Sequence, residues 1–252
     1  MKTPILLHIP HSSLNIPKAV RDKLCISDAE LERELLRMTD RYTDILFGLP
    51  TITSHSIIYP VSRLVVDPER FEDDAMELMA AIGMGVIYTA TSQRTLLRIQ
   101  PDACERTKLL DAYYHPHHRR FTEAVAELLN EAGQALIIDC HSFASRPLPY
   151  ELNQGMDRPD ICLGTDAFHT PKWLLDSVTK AFLKLGYSVA INHPFAGTIV
   201  PLPYYTQEAR VLSIMIEINR KLYMHEDTGE KGPFIARVKD DIATVASQIV
   251  QT

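Results

Sequence analysis

A chain of 252 residues, 46% apolar and 23% charged, can bury a substantial core and has ordinary globular composition. Its formal charge of −6 argues against a broad nucleic-acid surface, and no apolar run approaches the roughly 20 residues of a membrane helix. Four cysteines, Cys25, Cys104, Cys140 and Cys162, form no CxxC pair, so free thiols in a reducing compartment are expected.

The N-terminal segment MKTPILLHIPHSS has one lysine and an apolar run broken by His8 and Pro10, with no small-residue cleavage site. It reads as a first strand over 5–9, not a secretory leader, and a cytoplasmic protein is expected. Ser27 and Glu30 form a capping-box pattern that opens a helix over 28–47. Residues 51–59 and 62–67 read as strands, and Gly83 and Gly85 lead into a short strand, VIYTA (86–90). Helical spacing covers 105–132, with Pro116 kinking the helix or opening a second one. ALIIDCHS (135–142) is a buried strand. A long polar loop, 143–170, follows it, and a loop of that size is often functional. A helix over 171–185, strands over 187–192 and 211–219, and a closing helix from 234 complete the chain. This alternation predicts one α/β domain over 1–252, with a mostly parallel sheet between helical layers.

Ligands of open α/β sheets bind beyond the C-terminal strand ends. The predicted strands end in His8 and His11, in Asp67, in Asp139 and His141, in Asn192 and His193, and in Glu217 and Asn219. A catalytic zinc needs about three protein ligands and one open position. His11 and His141 supply two, and other divalent ions also suit such donors. Asp40 is favoured as the third, as a mid-helix aspartate in a poor helix-forming position. Asp44 and His8 compete for that place. Asp139 shares a strand face with His141 and either orients its imidazole or approaches the metal itself. Glu217 interrupts the apolar run IMIEIN. Burial there would raise its pKa, as a general base working near neutral pH requires.

Arg63 and Arg70 flank Asp67, Arg94 and Arg98 follow a short strand, and Arg220 follows Glu217. Guanidinium forks grip carboxylates through paired hydrogen bonds, so a dicarboxylate substrate would use two. YYHPHHRRF (113–121) looks like a metal box, with His115 and His118 sharing a helix face. It has no acidic partner on the same turn and is expected to be structural.

HIPHSSLNIP, DRYTDILF, SRLVVDPERF, GVIYTATS, YYHPHHRRF, LIIDCHSF, NHPFAGTIVP and IMIEINRKLYM occur in an order and spacing that resemble the N-formylglutamate amidohydrolase family across nearly the whole chain. The resemblance implies a three-layer α/β/α zinc-hydrolase fold with a mostly parallel mixed sheet, similar to zinc carboxypeptidases and cell-wall amidases. It implies zinc on His11, Asp40 and His141, and Glu217 as base. Arg63, Arg70, Arg220, Asn192 and Asn219 would face the substrate. The implied reaction is hydrolysis of N-formyl-L-glutamate to formate and glutamate, a step of histidine degradation. The partner would be a small-molecule N-acyl amino acid, with no nucleic acid or membrane. The chain departs from the family pattern at Pro68-Glu69-Arg70, where an apolar residue and Asn are expected before the arginine, and at Thr198, where a second glycine is expected. A zinc peptidase or cell-wall-type amidase, or a metal-free carboxylate-binding protein, are the alternatives. Neither a P-loop nor GxGxxG is present to support a nucleotide enzyme.

Overall fold

In the computed structural model, which describes residues 4–49 and 55–250, strand alternation explains where the polar residues go. β1 (Ile5–Ile9), β2 (His55–Ile58), β3 (Ala135–Phe143), β4 (Ile161–Gly164), β5 (Val189–Ile191) and β6 (Val211–Asn219) form one sheet in the order β2-β1-β3-β6-β4-β5. The β2-β1-β3-β6 block is parallel, whereas β4 pairs antiparallel with β6 and parallel with β5. Ile5, Leu7, Ile9, Leu136, Ile138, Cys140, Ile214, Ile216 and Ile218 share one core cluster with α6 (Lys172–Lys184) and α7 (Ile235–Val250). Leu6, Ala135, Ile137 and Val211 share another with Phe121, Val125 and Leu128 of α5 (His115–Ala132). The result is the expected three-layer α/β/α sandwich with a mixed sheet. By the same period of two, His8, Asp139, His141 and Glu217 fall on the α5 face. Among the described residues no helix is long and apolar enough to cross a membrane.

The expected helix over 28–47 is two helices. After α1 (Lys18–Arg21), α2 (Asp28–Met38) starts with the Ser27–Glu30 capping box, and α3 (Thr43–Leu46) follows a break. Thr39 is extended, Tyr42 has a φ of 69°, and the Asp40 amide donates to the His11 carbonyl at 2.9 Å. Asp40 is therefore not mid-helix. It sits in a turn tied to the chain leaving β1.

Residues 62–67 are turns rather than a strand. Leu64, Val65 and Val66 are fully buried, and the Arg98 guanidinium caps the Leu64 carbonyl in place of a strand neighbour. VIYTA is also irregular, with only an isolated bridge between Ala90 and Leu96. Residues 51–54 of the second predicted strand lie outside the described residues. Pro116 sits within one continuous helical run. α4 (Ala103–Leu109) leads through a π-helical turn, Leu110–Tyr114, into α5. The wider turn accommodates a residue with no N–H to donate. Within the predicted loop 143–170, ICLG forms β4.

Candidate metal centre

The centre assembles from the strands outward. His141 and Glu217 are register partners on β3 and β6, so their side chains stand side by side. His11 lies two residues beyond β1, Asp40 in the α2–α3 break, and Asp67 and Glu69 in the turns after β2. All six line one cavity except Asp67, which lies behind His11.

The His11 Nε2–H donates to Asp67 Oδ1 at 2.8 Å. Asp67 is itself held by Arg63 (Nη2 at 2.7 Å, Nε at 3.2 Å) and the Tyr88 hydroxyl. That bond fixes the tautomer, so the His11 Nδ1 lone pair is left buried without a hydrogen-bond partner, 3.7 Å from Asp40 Oδ2. The His141 Nδ1 is 3.2 Å from the same oxygen. Its Nε2 is 3.0 Å from Asp139 Oδ1 and 3.0 Å from Glu69 Oε2. Each imidazole thus has its Nε2 against a carboxylate and its Nδ1 towards Asp40. This is how the far ring nitrogen of a metal-ligating histidine is commonly anchored. Asp40 Oδ2 is thus 3.7 and 3.2 Å from the two Nδ1 atoms, close to the roughly 3.3 Å that separates ligand atoms about 2.0–2.1 Å from a tetrahedral ion. The orphaned His11 Nδ1 is the observation that the donor set fits a cation.

Among the described residues Glu69, and not Asp40, completes a three-residue donor group with His11 and His141. Ligand atoms of His11, Glu69 and His141 lie within 4.8 Å of one another, as do those of His8, Glu69 and Asp139. His8 Nδ1 is 3.0 Å from Asp139 Oδ1, and its Nε2 is 2.9 Å from His117 Nε2. Asp40 has Arg220 and Asp67 has Arg63, whereas Asp139 and Glu69 face imidazoles. In the sequence Glu69 stands out only as a departure from a family pattern. The signal available was the replacement of an amide by an acid between Asp67 and Arg70.

Burial alone would raise the pKa of Asp40. The neighbouring His11 and His141 imidazoles, with the Arg220 charge, outweigh it and hold the carboxyl well below the usual range. Asp67 is held low in the same way, burial being overcome by Arg63 and His11. Burial pulls the His141 pKa down, but Glu69 and Asp139 raise it far more, so the position favours positive charge. Glu217 goes the other way. Burial, aided by Asp40 and Asp139, pushes it up to about 8 against the opposing pull of His141 and Arg220. Its Oε2 is buried and has no partner.

The N-formylglutamate amidohydrolase family model matches residues 3–224. The chain belongs to that family. It is 29% identical to an N-formylglutamate deformylase of Pseudomonas aeruginosa PAO1, over 99% of this chain and 91% of the relative. It is 27% identical to an N-formylglutamate deformylase of Pseudomonas putida, over 89% and 83%. The crystal structure of an N-formylglutamate amidohydrolase from Ralstonia eutropha JMP134 superposes with a TM-score of 0.85 at 23% identity, covering 99% of this chain and 94% of that one. That likeness establishes the fold.

In this family member the remaining expected residues divide. Arg63, Arg70 and Arg220 line the cavity. Arg220, however, donates to Asp40 Oδ1, Ser142 Oγ, the Ser142 carbonyl and the Arg37 carbonyl, so its fork is occupied within the protein. Arg70 is freer, since its nearest carboxylates, Asp67 and Glu77, are 3.8 and 3.9 Å away. Arg37, which the sequence did not single out, also lines the cavity, and its carboxylate neighbour Glu34 is 3.9 Å distant.

Asn192 and Asn219 are not among the cavity-lining residues. β5 runs antiparallel to the central strands, so its C-terminal end points away from the site, and Asn192 bonds Thr165. Asn219 is fully buried, donating to the Pro159 carbonyl and accepting from the Lys221 amide. Asp44 is likewise absent from the cavity lining.

In the 113–121 segment, His117 meets His8, and the His118 Nε2–H donates to the Pro68 carbonyl at 2.9 Å. Exposed His115 does have acidic partners, Asp111 one turn earlier and Glu72.

Proposed function

We propose that the chain is a metal-dependent amidohydrolase that cleaves the N-acyl bond of an acidic amino acid and converts N-formyl-L-glutamate to formate and L-glutamate. The names of the two Pseudomonas relatives support the substrate. The observation that carries the reading is the unpartnered His11 Nδ1 beside Asp40 Oδ2 and His141 Nδ1, with the unpartnered Glu217 Oε2 in the same cavity.

His11, Asp40 and His141 would hold zinc or a similar divalent ion, with Glu69 in reach of the same place. A bound ion supplies Lewis acidity at the scissile carbonyl and makes water a stronger acid. Glu217 takes the proton of the attacking water at Oε2. Water oxygen bonds to the carbonyl carbon, Glu217 passes the proton to the amide nitrogen, and the C–N bond breaks to release the amine. Arg70, with Arg37 and the Arg63 edge, receives the substrate carboxylates. Arg220 positions Asp40, and Asp139 positions His141.

The chain reconstituted with zinc is expected to hydrolyse N-formyl-L-glutamate and to lose that activity to a chelator. Glu217→Gln should retain the metal and lose at least about a hundredfold in kcat, the scale of general acid–base catalysis. Near-normal turnover by that variant would remove Glu217 from the role. Failure of the zinc-loaded chain to cleave any N-acyl amino acid would remove the reading itself.

A further inference from the structure

The cavity over the centre has a volume of about 1020 Å³. Pockets of roughly 300–1,000 Å³ receive drug-sized ligands, whereas a formylated amino acid has only about a dozen non-hydrogen atoms. The excess space has a definite character. Leu148, Leu152, Phe195, Leu202 and Tyr205 line it from two loops, and Phe71, Met76 and Leu78 line it from a third. Several are far from buried, with Leu152 78%, Leu202 64%, Leu78 84% and Met76 64% exposed. Single exposed apolar residues are ordinary, but a group of them around the mouth of one polar-floored cavity marks a ligand surface.

The charges in the cavity are placed unevenly. Its guanidiniums come from Arg37, Arg63, Arg70 and Arg220, all on segments that also build the metal centre. In the 148–154 stretch the charge of Glu151 is already paired with Arg158. The 194–205 lining, from Pro194 to Tyr205, carries no charged residue. The 194–205 lining, with Leu148 and Leu152, therefore offers an uncharged wall opposite in character to the arginine-bearing segments.

We infer that the site takes N-acyl amino acids with a medium-length apolar acyl group in preference to the formyl compound. Leu152 and Leu202 select for the chain. This rests on the amidohydrolase reading and extends it to the acyl half of the substrate. The chemistry is the same hydrolysis, releasing a longer carboxylic acid in place of formate.

The test is a series of N-formyl, N-acetyl, N-butanoyl and N-hexanoyl L-glutamate with the zinc-loaded chain. From acetyl to hexanoyl, kcat/KM is expected to rise by up to about fourfold per buried methylene. On Glu217→Gln, calorimetric Kd values should tighten along the same series, independently of turnover. Leu152→Asn and Leu202→Asn alter exposed side chains and should fold. In each, the hexanoyl-to-acetyl ratio of kcat/KM should fall at least fivefold. Cleavage of N-formyl-L-glutamate with steadily lower kcat/KM for every longer acyl group would overturn this inference and leave the amidohydrolase intact. Unchanged ratios in both leucine variants would overturn it too. Absence of cleavage across the whole series would overturn both.

Discussion

Asp67 shows how much of the centre is decided away from the ligands. It does not line the cavity, yet its bond to His11 Nε2 determines which ring nitrogen faces it. Asp67→Asn keeps the shape and removes the charge that favours an Nε2–H donor. Zinc affinity, measured by competition with a chromogenic chelator, is expected to weaken about 10–100-fold, the usual effect of losing such a partner. Unchanged affinity would mean that His11 is oriented by something else. His118 carries a separate, pH-dependent consequence. Burial lowers its pKa from 6.5 to about 4, with the His8 charge adding to the shift. The folded value lies below the unfolded one, so its contribution to stability is intact above about pH 6.5 and is lost as pH falls towards 4. A proton taken up only on unfolding contributes a slope of ~1.4 kcal/mol per pH unit in that window. His118→Gln can still donate to the Pro68 carbonyl but does not titrate. Urea denaturation of the metal-free proteins between pH 6.5 and 4.5 should give the variant a slope shallower by ~1 kcal/mol per pH unit averaged over that range. Parallel slopes would contradict the assignment.

At the level of elements, long periodic segments were readable and irregular ones were not. ILLHI, ALIIDCHSF and VLSIMIEIN are central strands whose apolar density leaves little choice, so His141, Asp139 and Glu217 could be placed from pattern alone. Asp40 could be named but not located. Its turn depends on a hydrogen bond to His11 from 29 residues earlier in the chain, which no local spacing encodes. Asn192 failed for a related reason. The four-residue β4 was hidden in a polar loop, and without it the reversal of β5 could not be seen. The apolar run of 62–67 misled because burial in a loop looks like burial in a strand when read from composition. β4 also carries a testable constraint. A Cβ on Gly164 would collide with the Gly197 carbonyl oxygen and the Met215 side chain. Gly164→Ala should therefore displace the loop bearing Phe195 and Ile199, lowering Tm by several degrees. Hydrogen exchange should show faster opening across 194–199. A Tm equal to the parent's would show that the loop yields without cost.

For the molecule as a whole, the sandwich accounts for why residues scattered from His11 to Glu217 meet. Strand alternation sends the polar members of β1, β3 and β6 to the α5 face, and loops beyond the parallel ends bring Asp40, Asp67 and Glu69 to them. A chain of net charge −6 thereby builds a cavity that combines several arginines with a carboxylate-rich centre. His11 Nδ1 and Glu217 Oε2 are buried there without hydrogen-bond partners, and a cation beside His11 is the central expectation. The direct measurement is anomalous diffraction at the zinc edge from crystals grown with one equivalent of zinc. A single strong peak is expected within bonding distance of His11 Nδ1, Asp40 Oδ2 and His141 Nδ1. A peak bound instead by His8, Glu69 and Asp139, or no peak near His11, would contradict it.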